Sequence, residues 1–181
     1  MISVVTPSSA SAALPVASLK SHLRLDHSDE DTLLATYAAA AVRALERLTG
    51  RSFGAATYRA TMPLPASRML MIQLPDVTAI TELKITKPDR TVATVSAGEI
   101  VLRAHAYGCL VMPAPGATWP DALDDDEAVS VTLTAGLAAV PEDINAALLL
   151  TAARFYADRE DGNVPSAALA LCGPFRTGGW I

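Results

Sequence analysis

His22, Asp26, His27, Asp29, Glu30 and Asp31 form the densest group of side chains in this chain able to ligate a metal or exchange protons. Metal binding would require these ligands to converge on one point. Their spacing instead straddles a break between two helices. A calcium loop opening at Asp26 would want glycine at its sixth position and an acid at its twelfth. Asp31 and Tyr37 stand there. Capping and solvation therefore account for the cluster, since acids in a first turn suit the positive end of a helix dipole.

A second acidic run, Asp121, Asp124, Asp125, Asp126 and Glu127, could hold a cation or supply paired carboxylates. It lies in a turn-rich stretch with no partner nearby for acid–base work, so a solvated loop explains it. His105 stands apart. Cys109 and Cys172 are far from each other and from any histidine pair, and read as two reduced cytoplasmic thiols. The sequence has no GxxxxGK[ST], no GxGxxG after a strand, no GxSxG and no HExxH. The residues alone argue against an enzyme, and no cofactor or metal is expected.

The elements that carry these residues have a clear order. Residues 19–50 read LKSHLRLDHSDEDTLLATYAAAAVRALERLTG. Pro15 suits a helix start, and Val16, Leu19, Leu23 and Leu25 predict a short helix ending near Asp26. Ser28 or Asp29 can cap a long helix from Asp29 to Thr49, roughly 31 Å in length. Leu34, Tyr37, Ala41, Leu45 and Leu48 give its apolar stripe. Arg43, Glu46 and Arg47 fall largely off that stripe, and Gly50 stops the helix. Its middle, residues 38–41, is all alanine, with Ala35 and Ala44 beside it. Such a helix packs tightly within one domain, or touches its own fold on one face and another subunit on the other.

Residues 1–13 read as a flexible arm with at most a short strand at 2–5. From 51 to 136, prolines and glycines punctuate runs rich in Val, Ile, Thr and Leu. Strands are expected at 57–62, 70–74, 79–86, 91–95, 100–102, 109–112 and 128–134. Lys87, Pro88, Asp89 and Arg90 form a hairpin turn. Helical grammar returns at Pro141, with Ile144, Leu148, Thr151, Ala152 and Phe155 on one face to about Arg159. A last short helix is expected at 166–171. The reading is α+β: a small helical bundle of the long alanine-rich helix and the late helix, with an inserted β-rich excursion. One domain spans 1–181, with a helical core at 15–50 and 141–172, the β insertion at 51–136, and a tail at 173–181.

The net charge is −5 over 181 residues, with the 14 basic residues scattered. That excludes tight, sequence-specific grip on nucleic acid through a basic face. Apolar runs are too short or too alanine-rich for membrane spans, and the N-terminus lacks a secretion signal. Trp119 reads as a core or loop anchor, and Phe155 and Tyr156 as core. Phe175, Arg176 and Trp180, on a glycine-loosened terminus, are residue types that anchor interfaces. They equally suit a tail folded back on its own domain.

Residues 19–53 resemble the N-terminal signature of the phage head–tail connector proteins, the adaptor or head-completion family of long-tailed phages and gene transfer agents. In that family an "LKxHLR-D" helix, an acidic "D-x-x-DED" cap and a long helix ending "TGR" precede β strands. Pro75, Val77 and Ile80 match its "LP…V-x-S-I" stretch, and Trp119-Pro120 its "WP" landmark. VSVTLTAGLAAVPEDINAALLLTAARFYADRE is similar to its "V-x-V-x-[FY]-x-AG…VP…I-x-x-A-[IL]-L-L…Y-x-x-R-E", and CGPFRTGGW to its closing "L-x-P-[YF]-R". The ordered set covers nearly the whole chain. One strand departs from the pattern: LKITKPDRTV has Lys84 and Thr86 where the family has an aromatic and an acid, and no turn glycine.

The resemblance implies a non-enzymatic virion part, made in the bacterial cytoplasm and placed at the head–tail junction. Copies would form a ring, expected to be twelvefold, below the portal, extending the DNA channel and offering a surface to the tail or stopper protein. The partners implied are the portal protein, that tail-side protein, further copies of itself, and DNA passing without specific binding. Phe175, Arg176, Trp180 and Ile181 are then the expected portal-docking residues. Ala35, Ala38, Ala39, Ala40 and Arg43 are the expected subunit-interface helix. The β excursion would face a neighbour or the tail-side partner. A small cytoplasmic enzyme using the acidic loop with the histidines, or a standalone binding module, is the alternative.

Overall fold

The computed structural model describes residues 1–105, 107–159 and 162–177. The chain divides into two compact units, one of residues 1–7 and 55–136, the other of residues 8–54 and 137 onward. The described structure is α+β, with helices in one unit and antiparallel sheets in the other.

The helical unit holds α1 (Ala10–Ala13), α2 (Val16–Leu23), α3 (Asp31–Thr49), α4 (Glu142–Ala157) and α5 (Ser166–Cys172). Along α3 the buried residues are Leu34, Ala38, Ala41, Val42, Leu45, Glu46 and Thr49. They recur at steps of three and four, so one face closes on the core. Tyr37 and Leu48, expected on the stripe, lie at its margin, half-buried. From α4 come Ile144, Ala147, Leu148, Thr151, Ala152 and Phe155. Ala13, Leu14, Leu19, Phe53, Ala168 and Cys172 complete this core. At the end of α3, Gly50 takes a left-handed φ of 69° and its N–H reaches the Glu46 carbonyl at 2.8 Å. Glycine reaches that conformation at no steric cost.

Two local expectations are corrected. No side chain caps α3: its first turn follows Glu30, and the Ser28 carbonyl merely accepts the Asp31 N–H at 3.2 Å. The two candidate caps, Ser28 and Asp29, are exposed. The short helix α2 stops at Leu23 rather than near Asp26. Arg24 turns left-handed, with φ 57°, and the Leu25 N–H closes back on the Lys20 carbonyl at 3.0 Å. This is the glycine-type stop made without glycine.

The β unit has two sheets. The larger runs β1–β2–β8–β4–β5, and the smaller β3–β7–β6. The strands are β1 (Ile2–Thr6), β2 (Ala56–Met62), β3 (Leu70–Ile72), β4 (Val77–Thr86), β5 (Val92–Val95), β6 (Ile100–His105), β7 (Gly108–Pro113) and β8 (Val129–Ala135). The alternating Val129, Val131, Leu133 and Ala135 of β8 are buried, as its period-two pattern requires. One core takes these together with Leu70, Ile72, Cys109 and Val111 of the smaller sheet. The predicted arm is not free: Ile2, Ser3, Val4 and Thr6 pair with β2.

The hairpin between β4 and β5 forms without its glycine. Arg90 takes φ 66°, and the Asp89 carboxylate accepts from the Thr91 N–H at 2.9 Å and hydroxyl at 2.6 Å. Those bonds hold the Asp89 carboxyl below its usual range, the hydroxyl contributing most.

Candidate functional site

The histidine–acid cluster disperses in the structure. His22, Asp26, His27 and Asp29 are exposed. Asp31 pairs with Lys20 of α2 at 2.8 Å. The Tyr156 hydroxyl of α4 donates to Glu30 at 2.5 Å, and Arg159 lies 3.6 Å from the same carboxylate. The hydrogen bond to Glu30, then burial, then the Glu30 charge push the Tyr156 phenol above its ordinary value. Tyr156 also meets Tyr37 edge-on, with centroids 6.5 Å apart. These acids fasten α2, α3 and α4 to one another. Among the described residues no group of His, Cys, Asp and Glu is placed to hold a metal.

His105 is exposed, and its Nδ1 accepts the Tyr107 N–H at 3.3 Å. In the acidic loop Asp121 pairs with Arg68 at 2.5 Å, and Asp125 closes its own turn by accepting the Glu127 N–H at 2.8 Å. Neither arrangement sets an acid against a base. Trp119 is a buried anchor whose indole donates to the Glu99 carbonyl at 3.1 Å. Both cysteines are buried and free, and burial pushes the Cys109 thiol up to about 11 and that of Cys172 upward as well. The thiolate is the reactive form. A disulfide-exchange reagent at about pH 8 is therefore expected to titrate neither thiol in the folded chain and both after denaturation. Fast reaction of the native protein would contradict that burial.

What the chain presents instead is surface. On α3, Ala35 and Ala40 are exposed and Ala39 is half-buried, whereas Ala38 closes onto its own core. Only the first three are open to a neighbour. Arg43 is already engaged: it donates to the Ser8 hydroxyl at 2.9 Å, the Ser8 carbonyl at 2.6 Å and Glu46 at 2.5 Å. Glu46, read from sequence as an outward residue, is buried. Its Oε1 accepts from the Ser8 hydroxyl at 2.6 Å and the Phe53 N–H at 2.9 Å. Periodicity could not find this, because Ser8 and Phe53 lie far from Glu46 in sequence or beyond its helix.

The C-terminal segment is anchored at the end of α3. The Thr177 N–H and hydroxyl both donate to the Thr49 carbonyl, at 3.0 and 3.1 Å, and Arg51 donates to the Phe175 carbonyl at 2.9 Å. Phe175 packs partly against the helical core, and Arg176 is exposed. Trp180 and Ile181 lie outside the described residues.

No helix among the described residues is long and apolar enough to cross a membrane. A family model described as head completion protein matches residues 14–167. No curated protein sequence matches significantly. Among solved structures, a chain in the neck of an empty gene transfer agent particle, computed with C6 symmetry, is 28% identical at a TM-score of 0.78. A chain in the virion of a native gene transfer agent particle is 28% identical at 0.76. One in the neck of a native particle computed with C12 symmetry is 27% identical at 0.75. Each match covers 100% of this chain and 97% of the other.

Proposed function

The chain belongs to the head completion protein family, and from that membership we propose that it is a structural connector at the head–tail junction of a virion. The observation that carries this reading is the end-to-end match to chains in particle necks. Copies assemble as a ring, a form supported by the C6 and C12 symmetry of those necks. The ring sits below the portal, extends the DNA channel and presents a surface to the tail or stopper protein. An acidic chain suits such a channel, because DNA must slide past without condensing onto a basic wall.

The portal is gripped through the C-terminal segment, with Phe175, Arg176, Trp180 and Ile181 as the docking residues. The half-buried Phe175 and the bonds of Thr177 hold the described part of that segment on the helical unit. The open alanines of α3, Ala35, Ala39 and Ala40, form a subunit contact. There Ala38 and Arg43 act from beneath, one in the core and one through its bonds to Ser8 and Glu46.

A chain cut after Thr177 keeps the bonds to Thr49 and is expected to melt within about 2 °C of the full chain. It is expected to join portal-bearing heads at least about tenfold less well, since anchoring aromatics carry most of an interface's energy. Equal recovery of truncated and full-length chains on purified heads would rule out a grip through Trp180 and Ile181.

A further inference from the structure

On the outward face of the smaller sheet Met71 and Arg103 are exposed, whereas Leu110, Met112 and Val101 are half-buried. Strand register places Met71, Leu110 and Arg103 in one cross-strand row, and Met112 beside Val101 in the next. The alternate row, Leu70, Val111 and Leu102, turns into the core. Met71 is 62% exposed. Met69 and Tyr107 flank the rows and are exposed too. Scattered apolar residues on a surface mean little, but contiguous rows of them on one sheet face mark an interaction site. Methionine suits such a face because its side chain adapts to a partner. Arg103 is exposed and has no ion-pair partner among the described residues.

The same β unit carries a pocket of about 340 Å³ with a different character. Leu64, Pro65, Ala122 and Leu123 give it apolar walls, and Asp124 and Asp125 stand at its edge. Asp126 is exposed beside them. Asp121 is already neutralised by Arg68, whereas Asp124, Asp125 and Asp126 have no cation among the described residues.

The two patches complement each other in charge: the sheet face carries a cation, and the pocket, lined by apolar and polar side chains with Arg68 already paired to Asp121, is edged by anions without a cation among the described residues. Paired with itself across a twofold axis, the sheet face would offer Arg103 no carboxylate from its rows. Paired with the acidic pocket it makes a heterologous contact, the kind that closes a ring. We propose that the outer face of the smaller sheet in one copy docks on the acidic-edged pocket of the next copy, with Arg103 meeting Asp124 and Asp126. The proposal rests on the ring reading above and names one of its contacts.

The test is charge reversal read out in particles. Arg103→Glu, the pair Asp124→Arg with Asp126→Arg, and the triple variant are each supplied to cells lacking the wild-type chain. Copies per particle are counted by quantitative mass spectrometry, and the purified chains are melted as a folding control. Asp125 is left intact because its carboxylate closes the loop's own turn. Each reversal is expected to lower incorporation about tenfold or more without moving the melt, as a like-charge clash across an interface does. The triple variant is expected to recover to within about threefold of wild type, the signature of direct coupling.

Incorporation of either reversal at the wild-type level, or a triple variant no better than its parents, overturns the contact. So does Arg103→Glu giving a full complement of copies but no tails, which assigns the face to a tail-side protein. If the wild-type chain is itself missing from particles, the connector reading fails rather than this contact.

Discussion

Gly108→Ala is expected to destabilise the β unit by about 3 kcal/mol, the upper range for inserting atoms into a packed site. A Cβ at this position would lie 2.2 Å from the Ile72 carbonyl oxygen, 3.0 Å from the Gln73 Cα and 3.1 Å from the Ile72 carbonyl carbon. All three are backbone atoms, so no side chain can swing away to make room. Ile72 is held in register with Cys109, directly beside the substitution. Relief therefore requires β3 to leave β7, which pulls Leu70 and Ile72 out of the core. Thermal melting should show a fall of roughly 6–12 °C for a chain of this length. Gly98→Ala serves as the control, because nothing lies within 4 Å of a Cβ there. Equal midpoints for Gly108→Ala and Gly98→Ala would mean that β3 and β7 do not approach as described.

Glu46→Ala is expected to cost about 3 kcal/mol, through loss of charge-assisted bonds to buried donors. The three partners contribute unequally. The Arg43 side chain is 39% exposed, so water screens that pair and leaves it a minor share. The Ser8 hydroxyl and Phe53 N–H are buried and would face a void with no acceptor. Glu46→Gln keeps the volume and one acceptor oxygen, and should cost about 1 kcal/mol. Ser8→Ala removes one donor and should also cost about 1 kcal/mol. Combining Ser8→Ala with Glu46→Ala should add less than the sum of the two, because both delete the same bond. Strict additivity in urea unfolding would show that the carboxylate and hydroxyl do not interact.

These positions also mark where the sequence was legible and where it was not. Periodicity found α3 from Leu34 to Leu45 and the stop at Gly50, because a single face closes on the core. It found β8 for the same reason, from its alternating Val129, Val131 and Leu133. Signals that rest on one residue fared worse. Arg24 takes left-handed backbone that usually calls for glycine, and it carries no local mark. β4 begins at Val77, two residues earlier than expected. Irregular pairing there is bridged by the Thr78 and Thr81 hydroxyls, which donate to the Thr134 and Thr132 carbonyls. Glu46 looked solvated because its partners come from outside the helix.

The same division runs through the surfaces. Missing motifs led the sequence reading to expect no enzyme, and the described geometry spends the polar clusters on helix ties and turn closures. Which alanines of α3 face out required the fold, since Ala38 and Ala39 are adjacent in sequence but differ in burial. The outward rows of the smaller sheet were hidden more completely. Met71 and Arg103 become neighbours only through β7, which lies between their strands.

The most direct measurement is electron microscopy of particles from cells in which this chain is deleted, beside cells in which it is restored. A connector at the head–tail junction predicts DNA-filled heads without tails in the first sample and tailed particles in the second. Normally tailed particles from the deletion would contradict it.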